Sequence, residues 1–397
     1  MRLVRTTVRQ SDPVGRTRLC AEVAYDRGRP AREELWIEVP SSWAPALDPS
    51  GTPWVAILLP LAVALEEPLW IEVPADPRVV AGARRVEETW RAWYATTALV
   101  PVDASGETPA PAAPPRRTFA YFSGGVDSFF TALHGPSRPV DDLVFLEGFD
   151  RRLEHEAGRA AARATATAAA RALGLPLHVV ATNLRRTRWN QADWALVAHG
   201  AALAGIALAI GGGHDRAAIP ASIWSGDSIP WGSHEATDPR FSSGALEIVA
   251  DGHAADRFDK VAAIATHEAV RSHLRVCYRS RQGVNCSHCT KCLLTMAMLD
   301  AVGALAPSGS SFLGVSDYLL RLRHMDARFP SDRRHLGRTL AAADARGHAA
   351  LADAVRAVLA KRTGWTHRVP RAPSPWTRWR RRRRGLGRTS ASLSPQG

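Results

Sequence analysis

The chain has 397 residues, 46% of them apolar, a length and composition that suit one large core or two ordinary ones and exclude a disordered, collagenous or disulfide-stapled chain. The net charge of +13 sits at one end: from position 361 onward there are eleven Lys or Arg and no Asp or Glu, which leaves only +2 for residues 1–360. A near-neutral body argues against a nucleic-acid interface spread over the fold, and leaves the tail PWTRWRRRRRGLGR as the one place for RNA, DNA or an anionic membrane to touch.

The opening MRLVRTTVRQ lacks an apolar signal core, so the expected compartment is the cytoplasm. Residues 1–103 mix strand-like runs, ELWIEV and PLWIEV, with a helical pattern over DPRVVAGARRVEETWRAWY, and are expected to form a small α/β domain. The Pro- and Ala-rich stretch to residue 116 reads as a linker.

From residue 117 the pattern alternates. FAYF, LVFLEGF, LHVVATNL and AAIPASI read as strands, separated by helical segments that include a long Ala-rich one capped by Asp150 and ended at Gly174. Such alternation predicts a doubly wound parallel sheet with helices on both faces. The apolar run at 195–213 is long enough to raise a membrane question, but its Gly, Ala and internal His199 predict a buried helix instead. One helix is expected over 256–276, a second after the cysteine loop, a helical region over 304–361 and a solvated basic tail over 362–397.

Two motifs carry chemistry. In FSGGVDSFF a strand ends in glycines and runs into a helix, so backbone N–H groups meet the positive end of the helix dipole with no side chain in the way. Ser123, Gly124, Gly125, Val126, Asp127 and Ser128 therefore read as a phosphate-binding turn, with Asp127 able to hold Mg²⁺ through oxygen. The spacing is neither the Walker loop nor the dinucleotide turn. The second motif, CYRSRQGVNCSHCTKC, places Cys277, Cys286, Cys289 and Cys292 so that four thiolates can close a tetrahedral Zn²⁺ site of structural type. An iron–sulfur cluster is the rival, although Leu293 stands where the ferredoxin pattern has proline. His288 reads as a loop residue, and Cys20 has no partner in sequence.

The SGGVDS turn resembles the pyrophosphate loop of the N-type ATP pyrophosphatase superfamily, and its pairing with C-x8-C-x2-C-x2-C over residues 117–303 is similar to 7-cyano-7-deazaguanine synthase. The resemblance implies ATP as substrate, Mg²⁺ and Zn²⁺ as metals, and an adenylating ligase: a carboxylate or amide oxygen takes AMP, and ammonia or an amine displaces it. It implies catalytic roles for Asp127 and Lys260, the latter neutralising phosphate, and nucleoside contacts after the next strands, near Gly148 to Asp150 and Thr182 to Leu184, with Asp150 and Asn183 as the side chains. The first 115 residues, the helical C-terminal region and the loop over 225–243 have no counterpart there. That loop reads either as a lid carrying Trp231, Ser233, His234 and Asp238 or as a surface excursion. Position 2 is Arg, so no N-terminal nucleophilic cysteine is present to release ammonia. A tRNA-modifying enzyme of the same superfamily and a non-catalytic nucleotide-binding subunit are the alternatives.

Overall fold

A computed structural model describes residues 1–361 except 12–14, 96, 109–115, 136–137, 150–151, 228, 278, 280–283, 306–310, 313–314 and 328. The basic tail and most of the expected linker therefore lie outside the described residues.

Ten strands form one sheet: β1 (Arg2–Ser11), β2 (Arg16–Ala24), β3 (Arg32–Pro40), β4 (Leu69–Ile71), β5 (Val102–Ala104), β6 (Thr118–Tyr121), β7 (Asp142–Glu147), β8 (Leu177–Thr182), β9 (Arg216–Pro220) and β10 (Glu247–Asp251). The order is β10-β9-β6-β7-β8-β3-β2-β1-β4-β5. The first five strands of that order run parallel, the pairs β8–β3, β3–β2 and β2–β1 are antiparallel, and β1–β4 and β4–β5 are parallel again.

Residues 1–103, expected as a unit of their own, instead extend this sheet. Ile37 and Glu38 of β3 pair with Thr182 and Ala181 of β8. One apolar cluster then runs without a break from Met1 through Trp54 and Phe119 to Ile248.

The central strands are buried on both faces, and their period of two divides the core. Phe119, Tyr121, Val144 and Ile219 face the cluster shared with the N-terminal segment. Ala120, Phe122, Phe145 and Ala218 face a second cluster, formed with the helices of the C-terminal half. The first cluster is covered by α1 (Thr52–Leu65), α2 (Pro77–Trp93) and α5 (His199–Ile210), and the second by α3 (Val126–His134), α4 (Glu156–Leu173), α6 (Arg257–Ile264), α7 (Glu268–His273) and α8 (Thr290–Ala301). Three further helices, α9 (Tyr318–Arg323), α10 (Pro330–Ala345) and α11 (Ala349–Leu359), pack outside α8 and α6.

Helix α5 is preceded by a single π-turn over Trp194–Ala198, capped by Asp193, and is buried on nearly every side, as the apolar run predicted. Its partner is α1: a Cβ on Gly205 would lie 2.4 Å from Ile57 Cγ1 and 2.7 Å from the Pro53 carbonyl, so only glycine lets the two helices approach this closely. No helix among the described residues is long and apolar enough to cross a membrane.

Three expectations need correction. The helix expected over 256–276 is two, broken at Ala265–His267, where His267 caps α7 by accepting from the Ala269 N–H. Helix α4 starts at Glu156 with His155 at its N-cap, beyond the Asp150 cap expected from sequence. In the loop after β9, read as a lid or a surface excursion, Asp238 is completely buried rather than at the surface, accepting from Ser233 Oγ at 2.6 Å and Thr237 Oγ1 at 3.1 Å, and it seats against Gly200 of α5 on the face opposite α3 and α6.

Candidate functional site

Between β6 and β9 the strand order changes direction: the chain goes from β6 outward to β7 and β8, then returns to the other side of β6 for β9 and β10. The connection leaving β6 runs through α3 on the face of the second cluster, and the one entering β9 through α5 on the face of the first; ligands of open α/β sheets bind at the carboxyl ends of the strands beside such a switch point. The residues Ser123 to Ser128 lie at the carboxyl end of β6 and lead into α3.

Gly124 has φ +75, a conformation that glycine adopts without cost and that turns the chain sharply out of the strand. Gly125 follows as the N-cap of α3 in an extended conformation open to any residue, so its lack of a side chain serves access rather than backbone geometry. Helix α3 has no side-chain cap, and the first N–H groups of a helix have no partner within it. Ser128 Oγ donates to the Gly125 carbonyl at 3.0 Å and lies 3.5 Å from Ser123 Oγ, which fixes both hydroxyls on the turn.

Asp127 points away from the sheet into a pair of cations. Its Oδ2 accepts from Arg257 Nη1 at 3.0 Å and its Oδ1 from Lys260 Nζ at 3.2 Å. Burial would raise this carboxyl, but Arg257, Lys260 and Lys291 outweigh it and hold it below the usual carboxylate range. Lys260 is buried and also donates to the Ala221 carbonyl at 2.5 Å, at the end of β9. Three strand ends, β6, β9 and, through α6, β10, thus converge on one carboxylate and two positive charges.

The C-terminal helices reach the same place. Arg338 of α10 pairs with Asp256, the N-cap of α6, at 2.7 Å and with Asp259 of that helix at 2.7 Å, while Arg334 pairs with Asp227 and stacks over Trp224. His335 is buried between them with its Nδ1 unpaired. Burial first, then Arg334 and Arg257, push it down to about 4, so the ring is neutral near pH 7.

A cleft of about 400 Å³ opens at the ends of β7 and β8, lined by Gly148, Arg152, Leu153, Thr182 and Arg185 among others. Asn183 is turned away from it: its Oδ1 accepts from the Trp36 N–H at 2.8 Å and its Nδ2 donates to the Glu34 carbonyl at 2.9 Å, so the amide ties β8 to β3. Asp150 lies outside the described residues. A larger groove of about 510 Å³ covers the outer face of β1 to β3, but its Arg and Glu side chains largely pair with one another and it is remote from the turn.

The four cysteines come together as their spacing predicts. All four Sγ atoms lie within 4.8 Å of one another, with contacts of 3.5 and 4.0 Å, and Cys277, Cys289 and Cys292 are buried. Four thiolates at about 2.3 Å from a tetrahedral ion stand about 3.8 Å apart, so this cluster can hold a metal ion such as zinc. Contact with Cys292 above all pulls Cys289 down to about 5, and the N–H of Cys289 points at Cys286 Sγ at 3.4 Å. Ser287, with φ +58, makes the tight knuckle. His288 is exposed and outside the cluster, and Cys20 is buried on β2.

Arg257, Arg275, Asn285 and His335 were not singled out in the sequence. Only Asn285 had a local signal, since it immediately precedes the first cysteine of the knuckle; the others reach the site through tertiary packing.

No family model, no curated protein and no solved structure matches this chain.

Proposed function

We propose that the protein is an ATP-dependent adenylating ligase of the N-type ATP pyrophosphatase kind, built on a doubly wound sheet and similar to 7-cyano-7-deazaguanine synthase. The observation that carries this reading is the uncapped helix N-terminus of α3 at the point where the strand order reverses, with Asp127, Arg257 and Lys260 gathered at its foot.

On this reading the turn N–H groups and the hydroxyls of Ser123 and Ser128 hold the β- and γ-phosphates, and the cleft beside Gly148 and Thr182 takes the nucleoside. An oxygen of the carboxylate or amide substrate attacks the α-phosphorus, the bond to the bridging oxygen breaks, and the electron pair leaves with pyrophosphate. Lys260 and Arg257 are aimed where that negative charge grows, which lowers the barrier without reorganisation at the moment of reaction. Asp127 orients both cations. Mg²⁺ would arrive with ATP and share the Asp127 carboxylate, adding charge neutralisation. Ammonia or an amine then attacks the acyl carbon, AMP departs, and the displaced proton goes to solvent.

Zn²⁺ on Cys277, Cys286, Cys289 and Cys292 would be structural, because four protein ligands leave no open position. ATP–pyrophosphate exchange across a panel of carboxylic acids, 7-carboxy-7-deazaguanine among them, tests the reading. Exchange with one acid supports it, and ATP binding with no exchange across the panel points to a non-catalytic nucleotide-binding subunit.

A further inference from the structure

The cysteine cluster and the glycine turn are joined by a short, fully specified path. The N–H of Arg275 donates to the Gly124 carbonyl at 2.7 Å. Two residues on is the cluster ligand Cys277, and the Arg275 guanidinium reaches the Cys277 carbonyl at 3.4 Å. The strand-like piece between them is held from behind by Asn285, almost completely buried, which uses its whole amide for this purpose. Its Oδ1 accepts from the N–H groups of Val276 at 2.9 Å and Cys277 at 3.1 Å, and its Nδ2 donates to the carbonyls of Leu274 at 2.7 Å and Ser311 at 3.1 Å. Asn285 itself adjoins the ligand Cys286. A second link is electrostatic: Lys291, between the ligands Cys289 and Cys292, contributes to holding the Asp127 carboxyl ionised.

We propose that Arg275 and Asn285 are positioning residues through which closure of the cysteine cluster sets the conformation of the phosphate turn. With the four thiolates drawn together, residues 274–277 are fixed at both ends, and the Arg275 N–H pins the Gly124 carbonyl. A pinned carbonyl fixes the orientation of the following peptide, whose Gly125 N–H lies 3.4 Å from Ser123 Oγ, and with it the start of α3, whose first N–H groups are open to an anion. When the cluster opens, Asn285 loses its anchor at Cys286 and Arg275 is free to leave Gly124. The inference rests on the reading of the turn as a phosphate site, but its physical content is a mechanical coupling that exists with or without nucleotide.

Amide hydrogen exchange on the full-length protein, as purified with metal and after stripping by a chelator, tests the coupling directly. The expected result is exchange at Arg275 and at Phe129, whose N–H donates to the Gly125 carbonyl at 3.0 Å, at least about tenfold faster after stripping, with α1 on the other face unchanged. The Asn285→Ala variant should show the same acceleration while keeping a full equivalent of metal, with Asn285→Asp intermediate because it retains the acceptor. Its KM for ATP should rise about tenfold with less change in kcat, a split that general loss of stability does not produce. Unchanged exchange at Arg275 and Phe129 after the metal is gone overturns the proposal, as does an equal loss of protection across α1. Should Asn285→Ala not fold, the stripped protein alone decides. Because exchange is measured without nucleotide, failure to bind ATP would refute the phosphate reading and leave this coupling standing or falling on its own data.

Discussion

Lys260 holds Asp127 from 133 residues further along the chain, with Nζ 3.2 Å from Oδ1. The lysine is buried and, among the described residues, has no other carboxylate as a hydrogen-bond partner, so the pair is maintained by the packing of α6 on α3 rather than by chance contact at a surface. Asp127→Asn keeps the shape and removes the charge. It should abolish pyrophosphate release while leaving the metal content unchanged; retained turnover would remove this carboxylate from the chemistry. Asp127→Ala should in addition lower stability by about 3–5 kcal/mol, because it leaves buried Lys260 without its counter-ion.

Lys260→Met separates charge from packing in the same way. Turnover should fall about 100-fold or more, close to 3 kcal/mol at the transition state. The melting temperature should change little, since Arg257 still pairs with Asp127 at 3.0 Å. Steady-state kinetics beside thermal unfolding reads both.

The glycine turn was legible in the sequence because its elements are local: an apolar strand, two glycines and a helix with Asp127 in its first turn. The four-cysteine cluster was legible for the same reason. What stayed hidden is tertiary. Arg257, Arg275 and His335 carry no spacing signal, and only the fold brings them to Asp127 and Gly124. Helix α1 was missed because it is apolar all round and contains Pro60, which leaves no amphipathic period to read. Strands β1 and β2 were missed because their exposed face carries Arg and Glu residues that pair across the strands, such as Arg5 with Glu22 at 2.8 Å, and so reads as polar coil.

The shared core makes a prediction about residues 1–103. Deleting them exposes the β8 edge and the face of α5 that packs on α1, so the remaining chain should not fold on its own, judged by loss of cooperative unfolding and of near-UV circular dichroism. The single change Gly205→Val, which drives a side chain into Ile57 and the Pro53 carbonyl, should cost about 1–3 kcal/mol or more.

His335 predicts an acid-side pH dependence. Its folded value of about 4 lies below the ordinary 6.5, so between these values the unfolded chain takes up a proton that the folded protein refuses. Stability from this group is present above about pH 6.5 and is lost as pH falls toward 4, by about 3 kcal/mol in total. The difference in unfolding free energy between wild type and His335→Gln, followed over that window, should shrink toward low pH; a constant difference would show that the ring does not titrate as its burial implies.

Cys292→Ser removes a buried ligand of the cluster. It should release the metal, lower the melting temperature and leave far-UV circular dichroism of the sheet largely intact. Metal analysis with an absorption spectrum identifies the ion: one zinc and no visible band is expected, and a brown protein absorbing near about 400 nm would assign an iron–sulfur cluster instead.

The most direct measurement is a crystal structure with a non-hydrolysable ATP analogue and Mg²⁺. The account predicts the β- and γ-phosphates on the N–H groups of residues 124–128 at about 3 Å, Lys260 turned toward them and the base in the cleft beside Gly148. A nucleotide bound elsewhere, or none at saturating concentration, would contradict it.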